Sequence, residues 1–103
     1  MYMRISWVHT EPGQSARYLE EFRRLRLPDA IRSVQVAQGH DNPDSIFIVS
    51  LWDSIEAIRA WESSTAYLED FNPRLKPFIQ GNYSVSVCEV VHSRGGLPSG
   101  VRV

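Results

Sequence analysis

Ile46-Phe47-Ile48-Val49-Ser50-Leu51-Trp52-Asp53-Ser54-Ile55-Glu56-Ala57-Ile58-Arg59-Ala60-Trp61-Glu62-Ser63-Ser64 joins a strand directly to a helix. Ile46 to Val49 is apolar at every position, as expected of a strand in the middle of a sheet with both faces covered. From Ile55 the period becomes helical, and Ile55, Ile58, Trp61 and Leu68 fall on one face. Asp53 stands three residues before Glu56, the spacing of a capping box, so the helix is expected to start there. Ser63-Ser64 marks a break in it.

Upstream, His40-Asp41-Asn42-Pro43-Asp44-Ser45 is dense in turn formers. The strand Ile46 to Trp52 is therefore expected to return as a hairpin on Ile31 to Gln38, a weaker strand with Val34 and Val36 on one side. Between Gln14 and Arg26, Tyr18, Leu19, Phe22 and Leu25 share a helical face, Glu20 and Arg24 pair on the outside, and Pro28 ends the helix. Tyr2 to His9 alternates Met3, Ile5 and Trp7 against Tyr2, Arg4, Ser6 and Val8, a strand pattern. Downstream, Phe71 to Ile79 contains Pro73 and Pro77 and is expected to be irregular or a short helical turn. Tyr83 to Val91 alternates again as a last strand. Residues 93–103 are expected to form a flexible tail, leaving 1–92 as the domain. The order β-α-β-β-α-β, with short and right-handed connections, predicts an α+β ferredoxin-like sandwich: one sheet with two helices on one face.

The 103 residues suffice for one core and not for two. Eleven basic and 12 acidic side chains give a net charge of -1, so no nucleic acid is expected as partner, since phosphate binding needs a concentrated basic surface. No apolar run approaches the roughly 20 residues that cross a bilayer. The opening MYMRISWVHTEPG carries no signal-peptide core, and a cytoplasmic location is expected. Cys88 is the single cysteine, which excludes an internal disulfide and reads as a small buried side chain. There is no phosphate loop, dinucleotide fingerprint, paired-carboxylate or Ser-His-Asp signature, and no metal or cofactor is expected. Arginine outnumbers lysine ten to one, which we read as a bias of the source genome.

Two helices cover one side of a four-stranded sheet, so in a lone subunit the other side should be polar. Here Met3, Ile5 and Trp7 lie along one side of the first strand, and Val85, Val87 and Val91 form a stripe on the last. Apolar surface left in water costs about 25 cal/mol per Å2. Pairing two sheets face to face about a two-fold axis removes that cost, so a homodimer is expected.

The string Leu51 to Ser64 resembles the strand-to-helix junction of the antibiotic biosynthesis monooxygenase family. The likeness extends over about residues 2–91, through the order of elements, the Pro12-Gly13 turn and the Val-rich closing strand. It implies a dimeric α+β barrel. It leaves the reaction open, because that family includes cofactor-free oxygenases of polycyclic aromatic molecules, quinol oxidases, haem-degrading enzymes and proteins without assigned activity. On the pattern of the haem-degrading branch, Trp61 falls on the family tryptophan, Ser6 on its asparagine and Phe71 on its iron-ligating histidine. A phenylalanine cannot ligate iron, and His9, His40 and His92 lie elsewhere, so haem binding or degradation ranks last.

Candidate site residues follow from the aromatics and from strand parity. Trp52 and Trp61 suit a core with their indole N–H groups satisfied locally, and equally suit an apolar slot for a flat aromatic molecule, to which Tyr67, Phe71 and Phe78 would add. If Ile5, Trp7, Val85 and Val87 form the dimer interior, then Arg4, Ser6, Ser84 and Ser86 face the helices and leave room for a ligand. The reverse parity puts the valines against the helices. Ser6 falls where the family places a cleft residue, Arg4 would orient a carboxylate or phenolate, and His9 is a second candidate for acid–base work. His40, Asp41 and Asp44 read as a turn. The expected function is a cofactor-independent monooxygenase acting on an aromatic or quinol-like small molecule in a cleft between helices and sheet. The alternative is a non-catalytic dimeric module that binds such a molecule.

Overall fold

The computed structural model describes residues 1–95. Four antiparallel strands, β1 (Tyr2–His9), β2 (Ile31–Gln38), β3 (Ser45–Trp52) and β4 (Ser84–Glu89), form one sheet in the order β2-β3-β1-β4. Helix α1 (Ser15–Arg24) follows β1, and α2 (Ile55–Glu62) follows β3. The wholly apolar start of β3 lies at an interior position of the sheet, between β2 and β1. Most of the expected tail, residues 96–103, lies outside the described residues.

Pairing in register places directly opposed residues on the same face of the sheet. Arg4, Ser6 and Val8 of β1 stand opposite Ser50, Ile48 and Ile46 of β3, and this is the face the helices cover. Val8 and Ile46 pack with Tyr18, Phe22, Leu25 and Leu75, while Trp52 packs with Ile58, Trp61 and Tyr67. The two clusters meet at Phe71, which touches both.

Four expectations are corrected by the geometry. Val85 and Val87 of β4 stand opposite Ser6 and Arg4, whereas Ser84 and Ser86 stand opposite Trp7 and Ile5. The β1 parity therefore holds and the β4 parity is reversed: Val87 packs on the Trp52–Trp61 cluster, and Ser84 and Ser86 are exposed on the other face. Cys88 belongs to that same outer face of an edge strand and is exposed, not buried. The cap of α2 is Ser54, whose hydroxyl accepts from the Ala57 N–H at 3.1 Å. Asp53 instead pairs with Arg32 at 2.6 Å. Leu68 is exposed, because the chain leaves the α2 winding before reaching it.

The reason lies at Ser63-Ser64. The Ser63 hydroxyl donates to the Arg59 carbonyl at 2.8 Å and the Ser64 hydroxyl to the Trp61 carbonyl at 2.7 Å. Side-chain competition of this kind unsettles a helix. α2 ends at Glu62, and Ala66–Phe71 continues as a wider π-helical turn before α3 (Asn72–Leu75) and a short 3-10 turn, Lys76–Phe78. The Asn72 N–H reaches back to the Tyr67 carbonyl, and Pro73, which has no N–H, follows without loss. Such widened turns are frequent at functional sites. Of the two forms expected for Phe71 to Ile79, irregular or a short helical turn, the structure shows the helical one, in two short turns.

The face of the sheet away from the helices carries Met3, Ile5 and Trp7 beside Leu51, Val49 and Phe47. Trp7 and Phe47 stack with centroids 6.0 Å apart and rings 8° from parallel, yet remain 46% and 39% exposed. The edge strands flank this apolar strip with Ser33 and Gln35 on one side and Ser84 and Ser86 on the other.

Candidate functional site

Between the sheet and the helices lies a cavity of about 40 Å3. From the expected set, Arg4, Ser6, Trp52, Trp61, Tyr67 and Phe71 line it. Phe78 does not: it packs at the rim of the α1 cluster, after the chain has turned away. His9 does not either. It stands opposite Ser45 at the end of β1, on the same side as Trp7, and alternation carries its ring away from the cavity.

Arg4 organises the polar wall. It is only 7% exposed, and its Nε donates to Glu62 Oε2 at 3.0 Å while its Nη2 donates to the Tyr67 hydroxyl at 2.8 Å. Its guanidinium also lies 5.4 Å from the Tyr67 ring centroid. Glu62 receives a second arginine, Arg59, at 2.7 Å. Burial by itself would raise the Glu62 carboxyl, but the hydrogen bonds from Arg59 and Arg4 outweigh it and hold the group below the ordinary carboxylate value. A buried cation is thus paired and hydrogen-bonded, the condition under which burying it is tolerable.

The chain of hydroxyls continues outward. The Tyr67 and Tyr83 oxygens are 2.9 Å apart, and Asn72 Nδ2 donates to Tyr83 at 3.2 Å. Burial, and then the hydrogen bond with Tyr67, push the Tyr83 phenol above its ordinary value. Tyr18, from α1, lines the opposite wall, and its burial raises its phenol strongly. Both groups are neutral near pH 7. Behind Arg4, Ser50 Oγ donates to the Arg4 carbonyl at 3.3 Å and accepts from the Trp52 indole at 2.8 Å, so Trp52 is satisfied locally and rigidly held.

The remaining wall is aliphatic and aromatic. Trp61 meets Tyr67 at 5.1 Å and Phe71 at 5.5 Å, and Tyr67 stacks on Phe71 at 5.8 Å. Tyr67 and Phe71 are both presented to Trp61 by the π-helical turn. Sequence reasoning missed Tyr18, Glu62, Asn72 and Tyr83. The Arg4–Glu62 pair spans 58 residues and left no local signal, and Asn72 sits in the segment read as irregular or a short helical turn. Tyr83 was visible as an aromatic at a strand start, but its partner was not.

The iron-ligand position of the haem-degrading pattern is Phe71, wedged edge-on against Phe22 and Trp61. No group of three His, Cys, Asp or Glu side chains gathers in metal-binding geometry among the described residues. Phe71 offers iron no donor atom at that position, and among the described residues no histidine or cysteine lines the cavity.

Residues 1–70 match the family model described as antibiotic biosynthesis monooxygenase. Protein SchA of Streptomyces halstedii is 30% identical over 98 residues, covering 87% of this chain and 25% of its own length, so the chain spans about a quarter of that relative. A solved Chloroflexus aurantiacus structure, named for antibiotic biosynthesis monooxygenases, is 26% identical with a TM-score of 0.68, covering 91% of this chain and 98% of the other. MhuD, solved as an R26S mutant with two manganese protoporphyrin IX bound per active site, superposes with a TM-score of 0.77 at 22% identity, covering 93% and 100%. At that identity the likeness to MhuD is one of fold alone. Among the described residues no helix is long and apolar enough to cross a membrane.

Proposed function

The chain belongs to the antibiotic biosynthesis monooxygenase family, and on that premise we propose that it is a cofactor-independent monooxygenase, working as a homodimer on an aromatic or quinol-like small molecule held between the helices and the sheet. One observation carries the reading: the Arg4 guanidinium and the Tyr67 hydroxyl, 2.8 Å apart, form a paired donor group on the wall of a largely apolar cavity rich in aromatic side chains. Such donors favour a phenolate or enolate over its neutral form, because they are preorganised and shielded from bulk water. An electron-rich phenolate supplies its own electrons to oxygen. The ring C–H opposite the phenolate becomes a carbonyl, one oxygen atom enters the product quinone, and the other leaves as water. The protein contributes orientation, a dry enclosure and charge stabilisation.

Arg4 holds the developing anion, Glu62 and Arg59 fix the Arg4 guanidinium, and Trp61, Tyr67 and Phe71 offer flat faces to a planar ring. Ser6, 5% exposed on β1, supplies the small side chain beneath it. No step is assigned to haem, since Phe71 replaces the ligating side chain.

Oxygen uptake with hydroxyanthracenes that carry hydrogen on the ring carbon opposite the hydroxyl tests the reading. One oxygen consumed per quinone formed is expected, with at least a tenfold loss in both Arg4→Gln and Trp61→Phe. Saturable binding without oxygen uptake across the panel overturns the enzyme and leaves the binding module.

A further inference from the structure

The cavity, about 40 Å3 in volume, admits water but not an aromatic ring, which needs several times that space. A ligand must therefore enter through a wall that moves. Trp61 and Leu27 separate the cavity from one outer groove of about 550 Å3, but Trp61 is helical, 8% exposed and clasped by two rings, and Leu27 packs on the α1 cluster. On the other side, Asn72, Ile79 and Tyr83 are shared between the cavity and an outer pocket of about 440 Å3. This partition is looser. Tyr83 is 37% exposed and follows Gly81, whose φ of +69° suits glycine. The chain is anchored just before, where the Gln80 N–H meets the His9 carbonyl at 2.7 Å, and again at Ser84 where β4 begins. Only Gly81, Asn82 and Tyr83 lie between.

The two outer spaces differ in charge. The Trp61 groove is lined by Asp29 and Asp70 with Arg26. The Tyr83 pocket is lined by Lys76, the chain's single lysine, by the amides of Asn72 and Asn82, and by no carboxylate. Leu68, exposed on the π-helical turn, supplies its apolar edge.

We propose that Tyr83 is the gate of the cavity and that the Lys76 pocket is a subsite for the carboxylate of a planar aromatic ligand. The inference rests on the proposed function and deepens it by naming the substrate class. When the Tyr83 side chain swings out, it gives up its hydrogen bonds to Tyr67 and Asn72, and cavity and pocket become one space. The ring then lies against Trp61 and Phe71, with the carboxylate on the Lys76 ammonium and the freed Asn72 amide. Lys76 stays part-solvated, so its contribution to affinity is modest and sensitive to salt.

The test compares 2-anthracenecarboxylate with the uncharged 2-anthracenemethanol by fluorescence titration of the full chain. We expect the carboxylate to bind roughly fivefold to tenfold more tightly at low salt, a preference kept in Lys76→Arg and lost in Lys76→Gln. Reductive [13C]methylation, which keeps the charge, makes Lys76 observable, and its resonance, identified by its absence in Lys76→Arg, is expected to shift on adding the carboxylate alone. Tyr83→Phe, which removes the latch without removing the ring, is expected to raise the association rate severalfold. Equal affinity of the two probes, or an unmoved Lys76 resonance under saturation, overturns the subsite and leaves the cleft standing. An unchanged association rate in Tyr83→Phe overturns the gate. Binding of neither probe overturns the cleft and the subsite together, while binding of both with no oxygen uptake from any phenol overturns the reaction and spares the subsite.

Discussion

The Arg4 guanidinium donates to the Tyr67 hydroxyl at 2.8 Å, joining the first strand to the π-helical turn 63 residues later. This contact ties the charged wall of the cavity to its aromatic wall. The same hydroxyl meets Tyr83 at 2.9 Å, so one oxygen couples the buried arginine to the edge of the domain. On the π-helical turn Tyr67 points inward, where the phenol serves both, while its neighbour Leu68 stays outside.

Tyr67→Phe removes that oxygen and keeps the ring. Arg4 loses a charge-assisted hydrogen bond in a buried setting, a loss of about 1–3 kcal/mol in stability. Urea unfolding is expected to show this as a lower midpoint with an unchanged slope. If Tyr67 belongs to the donor pair proposed above, oxygen uptake at saturating phenol falls at least tenfold in the variant. Unaltered uptake would leave Tyr67 as scaffold only.

Glu62 makes stability depend on acid pH. Its carboxyl titrates below its ordinary value of 4.5 in the folded chain, so the folded state binds its proton less readily than the unfolded state does. The corresponding stabilisation is fully present above the ordinary value and is lost as pH falls through the depressed one. The stability difference between the native chain and Glu62→Gln is therefore expected to be constant from pH 6 to 8 and to shrink below about pH 4.5. A difference that stays flat down to pH 3 would show that the carboxylate is not held by Arg4 and Arg59.

The strands were legible because period-two alternation is a local property: β1 and β2 run over the expected residues, β3 starts one residue earlier, at Ser45, and β4 is shorter than the expected Tyr83 to Val91, covering Ser84–Glu89. The position of Trp61 on an inner face followed from the helical period in the same local way. What failed depended on relations between distant residues. Which face of β4 meets the helices is set by its register on β1, and alternation alone fits either parity, so Ser84 and Ser86 were grouped with Arg4 although Val85 and Val87 stand there. Asp53 satisfied a capping pattern but found a better partner in Arg32 at 2.6 Å, and Ser54 took the cap. The π-helical turn was hidden because no sequence period distinguishes it from an ordinary helix over six residues, and Leu68 was misplaced with it.

Gly39 tests the hairpin that joins β2 to β3. A Cβ at this position would collide with the Asn42 carbonyl oxygen, which is backbone and cannot swing aside. The turn is also pinned by the Gly39 N–H donating to the Ser45 carbonyl at 2.8 Å. Gly39→Ala is expected to lower stability by about 1–3 kcal/mol. Gly13, with open space around it and a φ of +75°, should lose a smaller amount on the same change, through backbone strain alone. Thermal melts of the two variants side by side check the order.

Trp7 and Phe47, opposed across β1 and β3 and stacked 6.0 Å apart, are where the proposed homodimer is tested. They leave an aromatic pair, with Ile5 and Val49 behind it, on a face that no element of the described chain covers. Large aromatics bury roughly 150–250 Å2 each and dominate interfaces when they are covered. In a two-fold pairing of sheets, every residue of this strip is used twice. Light scattering at micromolar concentration is therefore expected to give twice the 11.8 kDa chain mass. Trp7→Glu places a carboxylate in each half of the contact and should shift the equilibrium to monomers by at least a hundredfold, because an unpaired charge at a desolvated centre costs several kcal/mol. The variant should keep its far-ultraviolet circular dichroism, since Trp7 lies opposite the helix-packed face. A native chain of single mass at micromolar concentration would mean that the apolar strip faces water, and the proposed dimer would be withdrawn.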